Sequence, residues 1–285
     1  MEYTGRTDLA CEAHEQYRLS ERAAELPGVA VRQETLEGLP VTAVVLSSEE
    51  SAARLGKKPG RYYTLDLPAR FERGAEDFPR IAVAIAALIR RCLRDQPPKL
   101  SLIAALGNPD ITPDALGSLA AADILVTRHL KTQVPSEFSA FSGTALCRTG
   151  VLGTTGIESA VQIRMLCREL RPDCVLAIDA LAGASVSRLC RTVQISDTGI
   201  APGSGVGNDR EALDFNTLGV PVIAIGMPTV IDAALLSSDP ALTSLFVTPR
   251  GIDSAVRCGG RLIAYGINLA LHPTLQLADL DMLLG

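Results

Sequence analysis

From Leu100 onward the chain alternates short, nearly unbroken aliphatic runs with amphipathic stretches, and few folds accept that order. The runs Leu100 to Leu106, Cys174 to Ile178 and Val220 to Ile225 carry almost no polar residue at alternate places. A strand buried on one face alternates apolar with polar residues; one buried on both faces does not. Between the runs lie helix starts: Thr112-Pro113, Thr155-Gly156-Ile157-Glu158 with capping-box spacing to a helix ending near Leu170, and Thr248-Pro249 before a helix through Leu271. Strands alternating with helices predict an α/β fold, a mostly parallel sheet with helices on both faces. The first 80 residues are less regular. A charged helix is expected over Glu12 to Leu26, a strand over Val41 to Leu46, and a hairpin or surface strand around Tyr62 to Leu65 within a segment rich in Gly, Lys, Arg and Pro. Arg80 to Asp95 reads as a helix with a basic end, stopped by Pro97-Pro98. A single domain over 9–285 suits a chain of 285 residues.

Composition removes several classes of function. The net charge is -5 and the arginines are scattered, which gives no basic stripe for direct nucleic-acid binding and no attraction to an anionic membrane. The longest apolar run, Ile81 to Ile89, is too short to span a bilayer, and the polar start is unlike a signal peptide. Seven widely spaced cysteines form no CxxC pair and no Cys/His cluster with zinc spacing, as expected of free thiols in a reducing cytoplasm. No cofactor or metal is called for.

Two carboxylates stand out by position. Asp114 falls in the first turn of the helix after Leu100 to Leu106, and Asp179 at the carboxyl end of Cys174 to Ile178. Ligands of open α/β sheets gather at such ends, so neighbouring strands would turn both acids into one crevice. Each also has an ordinary structural explanation, Asp114 as a partner of helix amides and Asp179 as a loop residue. Asp197 ends Thr192 to Ser196 and enters the loop Thr198 to Asn208; an Asx turn is its simplest role, with a supporting one at the site as the alternative. His129 is the histidine placed best for a supporting role, against a plain half-buried residue. The glycines of the loop match neither a P-loop nor a dinucleotide fingerprint, and no GxSxG elbow is present.

The strings Leu106 to Gly117 (LGNPDITPDALG), Leu125 to Leu130, Gly150 to Glu158, Ala177 to Leu181 (AIDAL), Gln194 to Ile200 (QISDTGI) and Pro202 to Asn208 resemble the germination proteases of spore-forming bacteria. So do Leu218 to Gly226, Pro228 to Asp232, and Tyr265 to Pro273, with Arg6 to Ala10 in the family's processing region. The resemblance thus spans nearly the whole chain. It departs at Ser118, where the family has Pro, at Gly183, where a larger residue is usual, and over a shortened Ala233 to Phe246. It implies an aspartic-type endopeptidase with a fold related to hydrogenase-maturation proteases, assembled as a homotetramer in the forespore or spore-core cytoplasm. It implies small acid-soluble spore proteins as substrates, and places the family's catalytic aspartates on Asp114 and Asp179. Family members cut after an acidic residue followed by an aliphatic or aromatic residue and Ala. Asp8-Leu9-Ala10 repeats that triplet, so residues 1–8 are expected to be a propeptide released by self-cleavage between Asp8 and Leu9.

Metal-free peptide hydrolysis needs a base for the attacking water and an acid for the departing nitrogen, and two carboxylates sharing a proton supply both. Helix amides near Pro113 would favour Asp114 as the ionised partner, leaving Asp179 as the acid. The alternatives are a metal-dependent peptidase, with Asp114, Asp179 and His129 as ligands, and a non-catalytic binder of spore proteins.

Overall fold

The computed structural model describes residues 6–20, 26–94, 96–207, 210–237, 239–242 and 245–284. Nine strands form one sheet: β1 Val29–Leu36, β2 Leu39–Leu46, β3 Gly60–Asp66, β4 Leu100–Leu106, β5 Gly143–Gly150, β6 Cys174–Gly183, β7 Thr192–Ser196, β8 Val222–Asp232 and β9 Phe246–Val247. Their order is β1-β2-β3-β7-β8-β6-β4-β5, with β9 on β8. The parallel sheet expected from the aliphatic runs is the half made by β5, β4, β6 and β8. The earlier part of the chain extends it antiparallel, β3 pairing with β7 and β7 with β8. β5 lies on one side of β4 and β6 on the other. The chain therefore reverses its direction of travel across the sheet at β4, the kind of switch point that opens a crevice.

One face is covered by the helices Phe78–Cys92 and Ile252–Leu271, whose Ile81, Ile85, Ile263 and Ile267 join Ile103, Ile178, Ile195 and Ile225 in one apolar cluster. The opposite face carries two separate clusters. Leu9, Ala10, Cys11 and Ala13, mostly from the helix Ala10–Ser20, pack on Val44, Leu46, Tyr62 and Leu181. Ala160, Ile163 and Cys167 of the helix Ser159–Leu170 pack on Leu102, Ala104, Val175 and Ala177. Side chains two apart on a strand share a face. On β6 the sequence Val175, Ala177, Asp179, Leu181 therefore runs from one cluster to the other, and Asp179 stands in the seam.

Several expectations shift. Tyr62 to Leu65 are buried in β3, an interior strand rather than a surface one, because both of its edges are paired. β6 does not end at Asp179: β8 runs beside it and pairs Asp179 with Gly226 and Gly183 with Ile231, across a bulge at Leu181/Ala182. The expected helix from Thr155 starts at Ser159, since Gly156 at φ 70° closes the short turn Leu152–Thr155 first. The helix Ala10–Ser20 covers the described part of the predicted one, whose continuation over 21–25 lies outside the described residues. The helix after Thr248-Pro249 begins at Ile252, and a further helix, Leu277–Leu284, follows it.

Candidate active site

After β4 the chain turns through Gly107, at φ 92°, and folds back so tightly that a Cβ there would lie 2.0 Å from the Asp114 carbonyl oxygen. Only a residue without a side chain permits that approach. Thr112–Asp114 then forms a single 3-10 turn ahead of the short helix Leu116–Ala120. Thr112 does not cap the turn; its hydroxyl donates to Asp253 Oδ1. The amide that supports Asp114 comes from the turn itself: Asn108 N–H donates to Asp114 Oδ2 at 2.7 Å. Gly117 seats the short helix on the sheet, its Cα facing the carbonyls of Leu106 and Ile178.

Asp114 and Asp179 line one cavity of about 570 Å³, together with Asp8, Arg210, Pro202 and Phe246. Asp179 is 3% exposed, and its Oδ1 accepts from its neighbour's amide, Ala180 N–H, at 3.0 Å. Burial, then the charge of Asp114, then that of Asp8, push its carboxyl well above the usual carboxylate range. Burial also raises Asp114, opposed by the Asn108 amide and by Arg210. The site can thus hold a proton on one carboxylate beside a second that is better able to ionise.

Asp8 sits on the wall of this cavity, at a bend just before the helix Ala10–Ser20. Its N–H donates to Ala182 O at 2.8 Å, while Asp8 Oδ2 accepts from Ala182 N–H at 2.8 Å and Oδ1 from the Ser204 hydroxyl at 2.9 Å. Gln194 clasps the next link: its Nε2 donates to Asp8 O at 2.9 Å and its Oε1 accepts from Ala10 N–H at 2.8 Å. Leu9, between them, is fully buried. Gln194, Gly226 and Asp179 are register partners across β7, β8 and β6, so the clasp and the buried acid belong to one transverse row.

Asp197 and His129 are not brought into the cavity. Asp197 accepts from the Arg61 backbone N–H and pairs with the Arg61 side chain, both at 2.7 Å, rather than closing an Asx turn on its own loop. His129 is exposed in the helix Arg128–Gln133. Among the described residues no three His, Cys, Asp or Glu side chains converge as metal ligands do. Ser204, Lys57, Arg210 and Gln194 were not singled out from the sequence. Only Gln194 carried a signal, as the amide in the otherwise compact strand TVQIS.

The family model described as germination protease matches residues 6–242. The chain belongs to the germination protease family. A germination protease of Caldanaerobacter subterraneus subsp. tengcongensis is 38% identical over 98% of both chains, and one of Clostridium perfringens is 35% identical over 99% of this chain and all of the other. One of Bacillus cereus is 43% identical over 83% of this chain and 66% of its own. Among solved structures, the [NiFe] hydrogenase maturation protease HycI of Thermococcus kodakarensis aligns with 61% of this chain and 97% of its own, at 20% identity and a TM-score of 0.36. A likeness that distant says nothing of chemistry. Family membership makes the chain a peptidase. No helix among the described residues is long and apolar enough to cross a membrane.

Proposed function

We propose that this peptidase is an aspartic-type endopeptidase that starts the breakdown of small acid-soluble spore proteins at germination, cutting after acidic residues. The observation that carries the proposal is the pair Asp114 and Asp179 on one cavity at the switch point of the sheet, the deeper acid held protonated by burial and by its partner. In the forward step Asp114 takes a proton from a water whose oxygen bonds to the scissile carbonyl carbon. The carbonyl becomes a tetrahedral oxyanion, and as it collapses to the carboxylic acid Asp179 gives its proton to the amide nitrogen while the carbon–nitrogen bond breaks. The pair ends with its proton count unchanged, one proton having moved from Asp179 to Asp114.

Asp8 on the cavity wall supports self-processing between Asp8 and Leu9 from a zymogen whose propeptide is residues 1–8, of which 1–5 lie outside the described residues. Leu9 is fully buried and Gln194 holds the link, so this bond turns to the aspartates only once Leu9 and the Gln194 clasp are released, with Asp8 keeping its seat. The working form proposed is a homotetramer in the forespore cytoplasm, to be weighed by sedimentation.

Asp114→Asn and Asp179→Asn should each lower cleavage of a purified spore protein by at least about a thousandfold, with circular dichroism unchanged. Intact mass should show loss of residues 1–8 from the parent chain and not from Asp179→Asn. Full activity in either variant defeats the mechanism, and a folded parent that only binds its substrate defeats the peptidase role. Loss of activity in chelator, restored by a divalent ion, would transfer the reaction to a metal.

A further inference from the structure

The segment Thr7-Asp8 is held by a set of donors that has the chemistry of a binding site. We propose that this seat is the subsite that selects an acidic residue in a substrate, with the Ala182 amide and the Ser204 hydroxyl reading the carboxylate and Lys57 holding the carbonyl one residue upstream. It rests on the reading that the neighbouring aspartates cut peptides.

Every contact to the main chain in the seat is independent of side-chain identity. Asp8 N–H donates to Ala182 O, Lys57 Nζ donates to Thr7 O at 2.6 Å, and Gln194 brackets the following link. The carboxylate alone is read by side-chain chemistry, one oxygen on a backbone amide and the other on a hydroxyl. The fit is close: a Cβ on Gly205 would lie 2.3 Å from Asp8 Oδ2 and 2.6 Å from the Ala182 methyl.

Lys57 supplies the sign of the charge. It is half-buried, and desolvation lowers its pKa while Asp8 and then Glu12 draw it back. The nearer acids do not compensate it fully. Glu12 is committed to the amides of Ala184 and Ser185 and to the Thr7 hydroxyl, and Lys57 forms no direct ion pair among the described residues. A half-buried ammonium with no direct ion pair among the described residues favours a carboxylate in the seat over a neutral amide. Asp8 meets that need in the uncut chain, and an acidic residue of a substrate meets it once Asp8 has gone. A peptide laid beside β6 would make the Ala182 and Lys57 contacts, and without the Gln194 bracket its next bond is free to turn toward the aspartates.

Two peptides that differ only in Asp or Asn before the scissile bond test the seat, with the full-length chain allowed to process itself and checked by intact mass. The parent should prefer the acidic peptide, and Ser204→Ala and Lys57→Met should each shrink the ratio of kcat/KM by about tenfold or more, mainly through KM. An unchanged ratio, or an equal fall for both peptides, overturns the proposal. If the parent cuts neither peptide, the peptidase mechanism fails first, and the seat is still tested by thermal melting in an Asp179→Asn background. There Asp8→Asn should lower Tm in the presence of Ser204 and much less in Ser204→Ala; additive effects reject the seat.

Discussion

Asp179 differs from the other carboxylates in how little water reaches it: 3% exposed, on a strand interior, with a single amide donor. A neutral isostere should therefore suit the folded chain better than the ionised acid. The folded pKa lies above the ordinary 3.8, so the protonated acid costs nothing at low pH, and stability is lost as pH rises through the folded value. Asp179→Asn is expected to raise Tm at pH 7 to 8, by about 2–4 °C for each kcal/mol of relief, and the gain should shrink as pH falls toward 4. Melting curves across that range check it. A Tm that drops at every pH would mean that the charged form is welcome in the fold. Asp197 shows the contrast. Its carboxylate is spent on Arg61, so Asp197→Asn should weaken the β3 end of the sheet more than it slows cleavage.

Among the elements, the short helix Leu116–Ala120 has the narrowest tolerance. A Cβ on Gly117 would fall 2.4 Å from Leu106 O and 2.6 Å from Ile178 O, both backbone atoms of strands that carry the site. Gly117→Ala must push the helix off β4 and β6, at a cost of about 1–3 kcal/mol, and displace the turn that aims Asp114. A fall in Tm together with loss of kcat is expected; full activity would show the turn to be independent of the helix. This part of the molecule was the legible part. β4 begins and ends where the aliphatic run Leu100–Leu106 does, because a strand buried on both faces leaves a nearly unbroken signal, and β7 matches the short strand expected over Thr192–Ser196. Asp114 follows from the end of β4, whereas Asp179 stands at the expected end of a strand that in fact runs on to Gly183. β1 was not legible, since Val29–Leu36 is a solvent-facing edge with Arg32, Gln33 and Glu34 in its middle. β5 was also missed, its apolar residues broken by Arg148 and Thr149. Lys57, Ser204 and Arg210 were hidden for another reason. Each comes from a loop, and their meeting with Asp8 depends on where the chain returns, which no local pattern encodes.

At the scale of the whole molecule, two buried titratable groups tilt stability in opposite directions. Asp179 removes stability as pH rises. His272, fully buried at the end of the helix Ile252–Leu271, has its pKa pushed down to about 4 by burial and then by the Lys131 ammonium. Its folded value lies below the ordinary 6.5, so its contribution is complete above 6.5 and is lost as pH falls through 4, a change on the order of 3 kcal/mol. Between pH 4 and 6.5 the two slopes oppose each other, and His272→Leu should take away the rising contribution on this acid limb in denaturant titrations. An acid limb of unchanged slope would assign it to other groups. The segment that fills the seat is also a part of the chain, which sets how it competes. A ligand tethered by a few residues acts at an effective concentration on the order of millimolar, whatever the protein's own concentration, so dilute substrate cannot dislodge it. Were the tether cut at Asp8 as proposed, the residues before the cut would be a free peptide at the concentration of the protein itself. Blockade then ends by dilution alone, with no change in any contact of the seat, and the transition runs one way.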